Sequence, residues 1–262
     1  MIDRNRPETI ARRICQFSCG AASAVATKLT LADYNLNSIL IVNAFIEEED
    51  SDNRRFLDEC EQWFGQTIHV MRDKKYNAST DEVWRRKRFM KGPHGAPCSL
   101  ELKRKLLNAI TLPEDIAVIG FTAEESDRFD DLRENFPGLH WEAPLIDRNI
   151  TKADCLSIVA DAGIEIPRMY RKGYDNANCI GCPKGGQNYW QAIREDFPER
   201  FIQIKTIQKS IGPGAYFLQF RSGPRKGERM SLDELPPGRG NMADEPSFSC
   251  SFFCEMAKQD IA

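Results

Sequence analysis

The stretch Ile14 to Ser23 (ICQFSCGAAS) changes from an apolar run to a loop of small residues and then to a helical pattern. Residues 14–17 have the length and composition of a buried strand, and the helical pattern begins at Ala22. A strand that leads through a short loop directly into a helix is the opening unit of a βαβ fold. This stretch therefore predicts that the chain starts with a βαβ unit.

The same alternation continues along the chain. Further strands are expected at residues 39–45, 67–71, 116–121 and 140–145, and helices at residues 54–64, 151–162 and 187–210, the last with a break at Pro198. This order predicts an α/β protein with a doubly wound, mostly parallel sheet and helices on both faces. We expect a nucleotide-binding α/β domain over residues 1–168. A cysteine-bearing C-terminal extension, residues 169–262, is expected to pack on the nucleotide site.

Composition limits the class of protein. The chain has 262 residues, 41% of them hydrophobic and 29% charged, and a net charge of −3. These values exclude a disordered chain and a collagen-like chain. The longest apolar stretch, residues 38–46, is shorter than the roughly 20 residues that a membrane-spanning helix needs. The charged N-terminus is unlike a secretory signal, so we expect a cytoplasmic protein without a membrane partner.

Charge is unevenly distributed along the sequence. Residues 72–105 contain eleven Lys or Arg against four Asp or Glu, and residues 47–52 (EEEDSD) are acidic. Residues 84–91 (WRRKRFMK), which start at Trp84, combine basic and aromatic side chains. Such a segment is a candidate nucleic-acid surface, because cations contact phosphates and aromatics stack on bases. The alternative is a solvated helix face.

Two loops carry candidate anion-binding residues. In the first loop these are Ser18, Gly20, Ala21 and Ser23, since small residues free backbone N–H groups at a helix start. Close packing of strand on helix is the alternative, and neither a Walker motif nor a GxGxxG sequence is present. The second loop follows the strand at residues 116–121, where open α/β sheets bind ligands. Its candidate residues are Gly120, Glu124, Glu125 and Arg128.

Nine cysteines suggest metal or redox chemistry in a reducing compartment. Three of them, Cys15, Cys60 and Cys155, lie in apolar patterns typical of a core. The others of interest lie in Gly- or Pro-rich contexts: Cys98, Cys179, Cys182, Cys250 and Cys254. The C-x2-C spacing of the pair at residues 179–182 allows two thiolates to bind one metal. Structural zinc, an iron–sulfur cluster and a redox dithiol all fit this inventory.

Taken in order, these motifs resemble a known family. The motifs are the small-residue loop, the sequence I-G-x-x-A-E-E-S-x-R at residues 119–128, P-L-I-D-x-x-I-T-K-x-D at residues 144–154, the C-x2-C pair and a C-terminal cysteine. Together they resemble the phosphoadenylyl-sulfate (PAPS) reductase family. That family belongs to the PP-loop, adenine nucleotide α-hydrolase-like superfamily. The resemblance covers about residues 14–254 and is nearest to phage- or prophage-type members. Its most specific parts are residues 120–128 and 170–190.

The resemblance implies roles for the first loop. In the superfamily a loop S-G-G-x-D-S binds the phosphates or sulfate of the nucleotide, which corresponds here to Ser18, Gly20 and Ser23. Two positions depart from that pattern: Cys19 replaces a glycine and Ala22 replaces the aspartate. The missing carboxylate argues against magnesium-dependent pyrophosphate chemistry. The second loop is implied to contact the nucleotide and its sulfate end.

The cysteines resemble those of cluster-bearing adenylyl-sulfate reductases, which implies a [4Fe–4S] cluster, with zinc as the alternative. Cys98, followed by Lys103, and the C-x2-C pair match two elements of the cluster site, although Pro97 stands where those enzymes have a further cysteine. A C-terminal thiol is the expected fourth ligand, Cys254 or alternatively Cys250, and with Cys254 as the ligand Cys250 is left for chemistry. The resemblance further implies that a tail thiol, here Cys250, attacks sulfur.

The expected function is therefore that of a PAPS reductase-like oxidoreductase of sulfur metabolism. It would bind an adenine nucleotide (ATP, adenylyl sulfate or PAPS), with Cys250 and Arg128 as catalytic residues and a thioredoxin-like electron donor. One alternative is a PP-loop ATP pyrophosphatase and sulfur transferase that modifies nucleic acid through residues 84–91. The other is a non-catalytic nucleotide sensor or decoy.

Overall fold

A computed structural model describes residues 11–92, 95–246 and 248 of the chain. The strands of the central sheet are β1 (Arg13–Gln16), β2 (Ile39–Ala44), β3 (Ile68–Met71), β4 (Ile116–Val118) and β5 (His140–Glu142). They form one five-stranded sheet in the order β3-β2-β1-β4-β5, and every pairing is parallel. The predicted α/β class is therefore confirmed. Strand β1 has the predicted length, one residue earlier, whereas the other four strands are shorter than predicted, most clearly β4 and β5, where regular pairing ends at Val118 and Glu142.

Helices precede or follow each strand of the sheet. Within the described ranges they are α1 (Ala21–Asp33), α2 (Asp52–Phe64), α3 (Thr80–Lys87), α4 (Pro97–Ser99), α5 (Lys105–Asn108), α6 (Ser126–Asn135), α7 (Pro144–Asp147), α8 (Lys152–Asp161), α9 (Arg168–Arg171), α10 (Gln187–Asp196) and α11 (Pro198–Ile211). A π-helical turn, Leu100–Arg104, connects α4 to α5. A small antiparallel pair, β6 (Leu218–Gln219) and β7 (Arg229–Met230), lies near the end of the described chain. Over these residues, no helix combines the length and the apolar character that crossing a membrane requires.

Local sequence signals explain where helices begin and end. Thr151 and Asp154 form a capping box at the start of α8, and Gly163 adopts a φ of 77° after its end. A glycine reaches this left-handed region without the steric cost that a side chain brings. The expected break near Pro198 is also confirmed, because α10 ends at Asp196 and α11 begins at Pro198.

Alternate side chains of the sheet enter two different cores. Cys15 of β1 and Ile41 of β2 pack with α1, α2 and α8 in one hydrophobic cluster. Ile14 and Val42, their chain neighbours, pack on the opposite face with Phe129 of α6 and other residues. Because successive side chains of a strand point to opposite faces, both faces of the sheet are covered by helices. The predicted packing of helices on both faces is thus observed.

A third hydrophobic cluster lies apart from the sheet and draws on both halves of the chain. It combines Trp84, Met90 and Leu102 with Trp190 of α10 and with further residues up to Leu235. The indole rings of Trp84 and Trp190 are at most 1% exposed. The predicted division at residue 168 stays a prediction. The C-terminal segment and residues 46–102 nevertheless complete one core together.

Candidate functional site

The candidate site that contains the residues predicted to bind nucleotide lies at the carboxyl ends of β1 and β4. The chain runs outward from β1 to β3, returns to the other side of β1 at β4 and continues outward to β5. At such a switch in strand order the two connecting loops separate and leave a crevice. A cavity of about 430 Å³ occupies this crevice. All eight residues predicted to bind the nucleotide line it: Ser18, Gly20, Ala21, Ser23, Gly120, Glu124, Glu125 and Arg128.

The first loop presents the start of α1 to this cavity. Gly20 is the N-cap residue and supplies no side-chain cap, and the first backbone hydrogen bond of the helix joins Ala24 N to Gly20 O at 3.0 Å. The amides of Ala21, Ala22 and Ser23 therefore precede the helical hydrogen-bond ladder. Together with the helix dipole, such amides favour a negatively charged group at this position.

The Ser23 hydroxyl holds the first loop in shape. It donates to Gly20 O at 2.9 Å and accepts from Ser18 N at 3.1 Å, and the Ser18 hydroxyl lies 3.2 Å away. Both predicted serines thus belong to one hydrogen-bonded turn. Substituting Ser23 would affect the geometry of the loop as well as any direct contact with a ligand.

Cys19 faces away from the cavity, behind the loop. It is fully buried and adopts a φ of 57°, in the left-handed region that favours glycine. Its Sγ lies 3.5 Å from both Asn43 Nδ2 and Arg54 Nη2. Burial raises the pKa of Cys19, so the neutral thiol is the stable form. Cys19 is therefore unsuited to act as a nucleophile.

The second loop touches the first turn of α1. A Cβ added at Gly120 would lie 2.9 Å from the backbone N and Cα of Ser23. Only glycine permits this approach, because real Cβ atoms do not come so near to backbone atoms. The two predicted anion-binding loops are thus in direct contact across the β1–β4 crevice.

The acidic residues of the second loop already have partners. Glu124 accepts hydrogen bonds from the Lys152 amide at the start of α8. Burial opposes its ionisation, but hydrogen bonds from Thr122 and that amide outweigh burial and lower the pKa of Glu124. Glu125 closes a capping box with Thr122 and forms a close ion pair with Arg128. These carboxylates therefore shape the loop, and Glu125 offsets the charge of Arg128.

Arg128, predicted to be catalytic, lies at the rim of the cavity. Its guanidinium carbon is 4.7 Å from the centroid of the Phe121 ring. Stacking on the ring and pairing with Glu125 orient the planar guanidinium, which is suited to bind phosphate or sulfate through two parallel hydrogen bonds.

Several cavity residues were not predicted from the sequence. Asn43 follows the apolar run of β2, and a polar residue at the carboxyl end of a predicted strand is a signal that sequence reasoning had at hand. Lys103 enters the cavity from the π-helical turn and lies 3.6 Å from the buried Glu49 carboxylate. Burial raises the pKa of Glu49. Four further unpredicted wall residues come from one segment: Tyr170, Asn176, Ala177 and Asn178.

Two aspartates, the buried Asp50 and the half-buried Asp52, attach this wall segment to the body of the protein. Asp50 binds the Arg168 guanidinium at 2.7 and 3.0 Å, and Asp52 accepts the Arg168 backbone N–H at 2.7 Å. Asp52 also binds Arg55 at 2.7 and 2.9 Å. These bonds tie α9 to the start of α2. The position of the wall thus depends on contacts between residues far apart in the sequence.

Asp52→Asn is expected to destabilise the protein in a pH-dependent manner. Hydrogen bonds from Arg55 hold the pKa of Asp52 at about 2, below its usual 3.8. A depressed pKa stabilises the fold above the unfolded value, and this stabilisation is lost as pH falls through the folded value. We expect the free energy of unfolding at pH 7 to fall by on the order of 2 kcal/mol. Urea unfolding between pH 7 and pH 2 measures this difference, which should shrink below pH 4.

Asp58→Asn, at an exposed position of the same helix, is the matched control and is expected to change the free energy of unfolding by less than about 0.5 kcal/mol. An Asp52→Asn penalty that persists unchanged at pH 2 would contradict the electrostatic explanation.

The predicted metal-binding cysteines lie in the third hydrophobic cluster. Cys98, Cys179 and Cys182 are all buried there. Cys98 is in the short helix α4 and not in the expected loop. The Tyr189 hydroxyl accepts from the amides of Gly181 and Cys182 at 2.9 and 3.0 Å and donates to Cys179 O at 3.1 Å. Burial raises the pKa of Tyr189, so this hydroxyl keeps its proton and fixes the C-x2-C turn.

The donor set suits a thiolate-bound metal, because buried thiols on a tight C-x2-C turn are typical of zinc and iron–sulfur sites. Over residues 11–92, 95–246 and 248, no three Cys, His, Asp or Glu side chains meet at metal-ligand spacing. Cys250 and Cys254, the predicted nucleophile and fourth ligand, lie outside the described residues. The metal site stays a prediction.

The end of the described chain is attached beside the cavity. The carbonyl of Phe248 accepts from Asn176 Nδ2 at 2.9 Å and from Asn178 Nδ2 at 3.1 Å. Both asparagines also line the cavity. Glu245 is bound to the start of α10 through its carboxylate. The chain is thus held at the cavity wall two positions before Cys250 in the sequence.

The basic segment at residues 84–91 does not expose Trp84, one of its two aromatic side chains, whereas the other, Phe89, is half-buried. Trp84 is 1% exposed and belongs to the third cluster. Arg85 and Arg86 pair with Glu82. Arg88 donates to the carbonyl groups of Ser210 and Ile211 at the end of α11. A base cannot stack on Trp84, because its ring is buried. The three arginines instead form ion pairs within α3 and hydrogen bonds to α11.

Comparison with known proteins adds no assignment: the chain matches no protein-family model and no curated protein sequence.

Proposed function

We propose that this chain binds an adenine nucleotide in the cavity between β1 and β4 and acts on it as a PAPS reductase-like enzyme. The observation that carries the proposal is the convergence of both anion-binding loops and the start of α1 on one cavity of about 430 Å³. A cavity of this size accommodates a nucleotide-sized ligand. The resemblance to the PAPS reductase family, of the PP-loop superfamily, supports the choice of adenine nucleotide.

The lining of the cavity suits the two parts of a nucleotide. The amides of α1, the Ser18 hydroxyl and the cations Lys103 and Arg128 provide partners for phosphate or sulfate. Apolar side chains, among them Phe17 and Leu156, provide surface for a planar base. We propose that the anionic end lies at the start of α1.

The reaction that we favour is transfer of a sulfo group to a tail thiol. The Cys250 thiolate would form a bond to the sulfur of adenylyl sulfate or PAPS, and the bond from that sulfur to the phosphate oxygen would break. The nucleotide leaves with the electron pair of that bond. Arg128 and the loop at residues 18–23 would stabilise the negative charge on the leaving phosphate. A thioredoxin-like dithiol would then reduce the S-sulfocysteine, releasing sulfite.

Two observations support the tail as the source of the nucleophile. Phe248 is held by two residues of the cavity wall, Asn176 and Asn178. Burial raises the pKa of the thiols of Cys15, Cys19, Cys60 and Cys155, which makes these four poor nucleophiles. A [4Fe–4S] cluster, or zinc, held by Cys98, Cys179, Cys182 and Cys254 would supply a metal centre that joins the tail to the C-x2-C turn.

Nucleotide binding tests this proposal. We expect adenylyl sulfate or PAPS to bind in isothermal titration calorimetry with an affinity that EDTA does not change, because Ala22 supplies no carboxylate for magnesium. Incubation with a dithiol should release sulfite, and Cys250→Ala should abolish release while it preserves binding. Magnesium-dependent ATP turnover would instead favour the sulfur transferase. Tight binding without product, unchanged in Cys250→Ala, would favour the sensor or decoy.

A further inference from the structure

Tyr170 reaches the anion-binding loop from the opposite wall of the cavity. It belongs to α9, and its ring packs against the hydrophobic cluster that includes α1 and α8. A Cβ added at Gly20 would lie 3.1 Å from the Tyr170 hydroxyl oxygen. The hydroxyl therefore lies directly beside the N-cap residue of α1, although 150 positions separate the two residues in the sequence.

Two hydroxyl groups meet at this point. The same Cβ position at Gly20 is 3.7 Å from the Ser18 Oγ, so the hydroxyls of Ser18 and Tyr170 flank one side of Gly20. All three residues line the cavity. An oxygen atom of a ligand seated against Gly20 would have the Tyr170 hydroxyl and the amides of Ala22 and Ser23 around it, with Ser18 Oγ, whose proton is directed to Ser23 Oγ, beside them. Such convergence of donors is what an oxyanion requires.

The state of the Tyr170 hydroxyl suits a donor role. The backbone amides of Ala21 and Ala177 interact with its oxygen, and burial raises the pKa of Tyr170 to about 12. The hydroxyl is thus protonated at neutral pH. Because a hydroxyl has two lone pairs and one proton, amides directed at the oxygen leave the proton for an acceptor. A ligand oxygen against Gly20 is such an acceptor.

We propose that Tyr170 is a specificity-determining residue whose hydroxyl donates a hydrogen bond to an anionic oxygen of the bound nucleotide, seated against Gly20. The proposal rests on the nucleotide-binding function proposed above and adds a ligand contact from the segment at residues 168–178. It requires a phosphate or sulfate group at this point. A neutral nucleoside gains nothing from the contact. The hydroxyl therefore selects for the charged end of the ligand, and the base contributes its affinity elsewhere.

Tyr170→Phe tests the contact, because it removes the hydroxyl and keeps the ring in the hydrophobic cluster. The probes are adenosine, AMP and adenylyl sulfate, measured by isothermal titration calorimetry on the full chain. A hydrogen bond to a charged group corresponds to about tenfold or more in affinity. We expect Tyr170→Phe to weaken AMP and adenylyl sulfate by at least about tenfold and to leave adenosine within about twofold. If only adenylyl sulfate is weakened, the contacted group is the sulfate, and the proposal stands.

The control is Tyr34→Phe, which removes a hydroxyl just beyond the other end of α1 and should change none of the three affinities. Gly20→Ala is the second variant and tests the anion seat itself, since its Cβ would crowd both the Tyr170 hydroxyl and the ligand oxygen seated against Gly20. It should reproduce the selective loss, and it carries the test if Tyr170→Phe does not fold.

Equal effects on adenosine and on the two anionic ligands, or no effect on any of the three, would overturn the role of Tyr170 while nucleotide binding by the unmodified chain still held. Failure of the unmodified chain to bind AMP or adenylyl sulfate would overturn the proposed function itself, and the contact with it.

Discussion

Gly120→Ala is expected to lower both the stability of the protein and its affinity for nucleotide. The added Cβ would lie 2.9 Å from Ser23 N and Cα and 3.1 Å from the Ala22 carbonyl carbon. All three are backbone atoms, so no side-chain rotation relieves the contact, and the first turn of α1 must move away from the second loop. Overpacking of this kind costs about 1–3 kcal/mol.

The movement acts directly on the groups that we propose to bind the anion. The amides of Ala21, Ala22 and Ser23 belong to the displaced turn. Since binding depends on donors held at short range, we expect affinity for adenylyl sulfate to fall at least about tenfold. The melting temperature should fall by roughly 2–4 °C for each kcal/mol lost, the range expected for a chain of this size. Calorimetric titration and thermal unfolding measure the two effects separately.

Gly138→Ala is the matched control for this substitution. No atom lies within 4 Å of a Cβ at Gly138, and its φ is outside the left-handed region. Both measurements should therefore remain at wild-type values. If Gly120→Ala also leaves them unchanged, the two loops do not need their close approach, and the description of the cavity as one anion site is wrong.

Cys179→Ala and Cys182→Ala are each expected to abolish metal binding. The two thiols lie on one turn that the Tyr189 hydroxyl holds, and a metal bound by four thiolates rarely survives the loss of one. Anaerobic purification with metal and sulfide analysis and a visible spectrum measures the result. We expect about four irons with matching sulfide and a brown colour in the unmodified chain. Both variants should lack them.

Cys155→Ala is the control, because Cys155 is fully buried in the cluster that covers the sheet and has no place in the proposed metal site. It should retain the metal at some cost in stability, about 1 kcal/mol. One zinc per chain in place of iron would identify a structural clamp and contradict the iron–sulfur proposal. A metal content that is unaffected by either Cys179→Ala or Cys182→Ala would remove these residues from the site.

Local signals in the sequence predicted most of the sheet and its helices. Apolar runs, caps such as Thr151 and the break at Pro198 each depend on a few neighbouring residues, so they can be read without knowledge of the fold. Once the strands were predicted to be parallel, the loops after β1 and β4 were expected at the same edge. The structure brings the predicted residues of both loops to one cavity.

Features that depend on distant contacts were not predictable in this way. The wall at residues 168–178 reaches the cavity because Asp50 and Asp52 bind Arg168. No periodic pattern in the sequence predicts a contact between residues so far apart. Trp84 shows the same limit. Its basic neighbours suggested a surface, but packing against Trp190 and Phe217 in the third cluster buries it. The predicted ligands Cys250 and Cys254 lie outside the described residues, and the metal site remains a prediction.

The shared third core has a consequence for synthesis of the chain on the ribosome. Trp84, Met90 and Leu102 emerge early, yet their packing partners extend to Leu235. About 130 residues separate Leu102 from Leu235, and at roughly 5–20 residues per second their translation takes roughly 7–25 s. During that interval the sheet can close, whereas these three apolar side chains lack the C-terminal part of their core. The nascent chain therefore passes through a partly folded intermediate, whose exposed apolar side chains are a surface that a chaperone would bind.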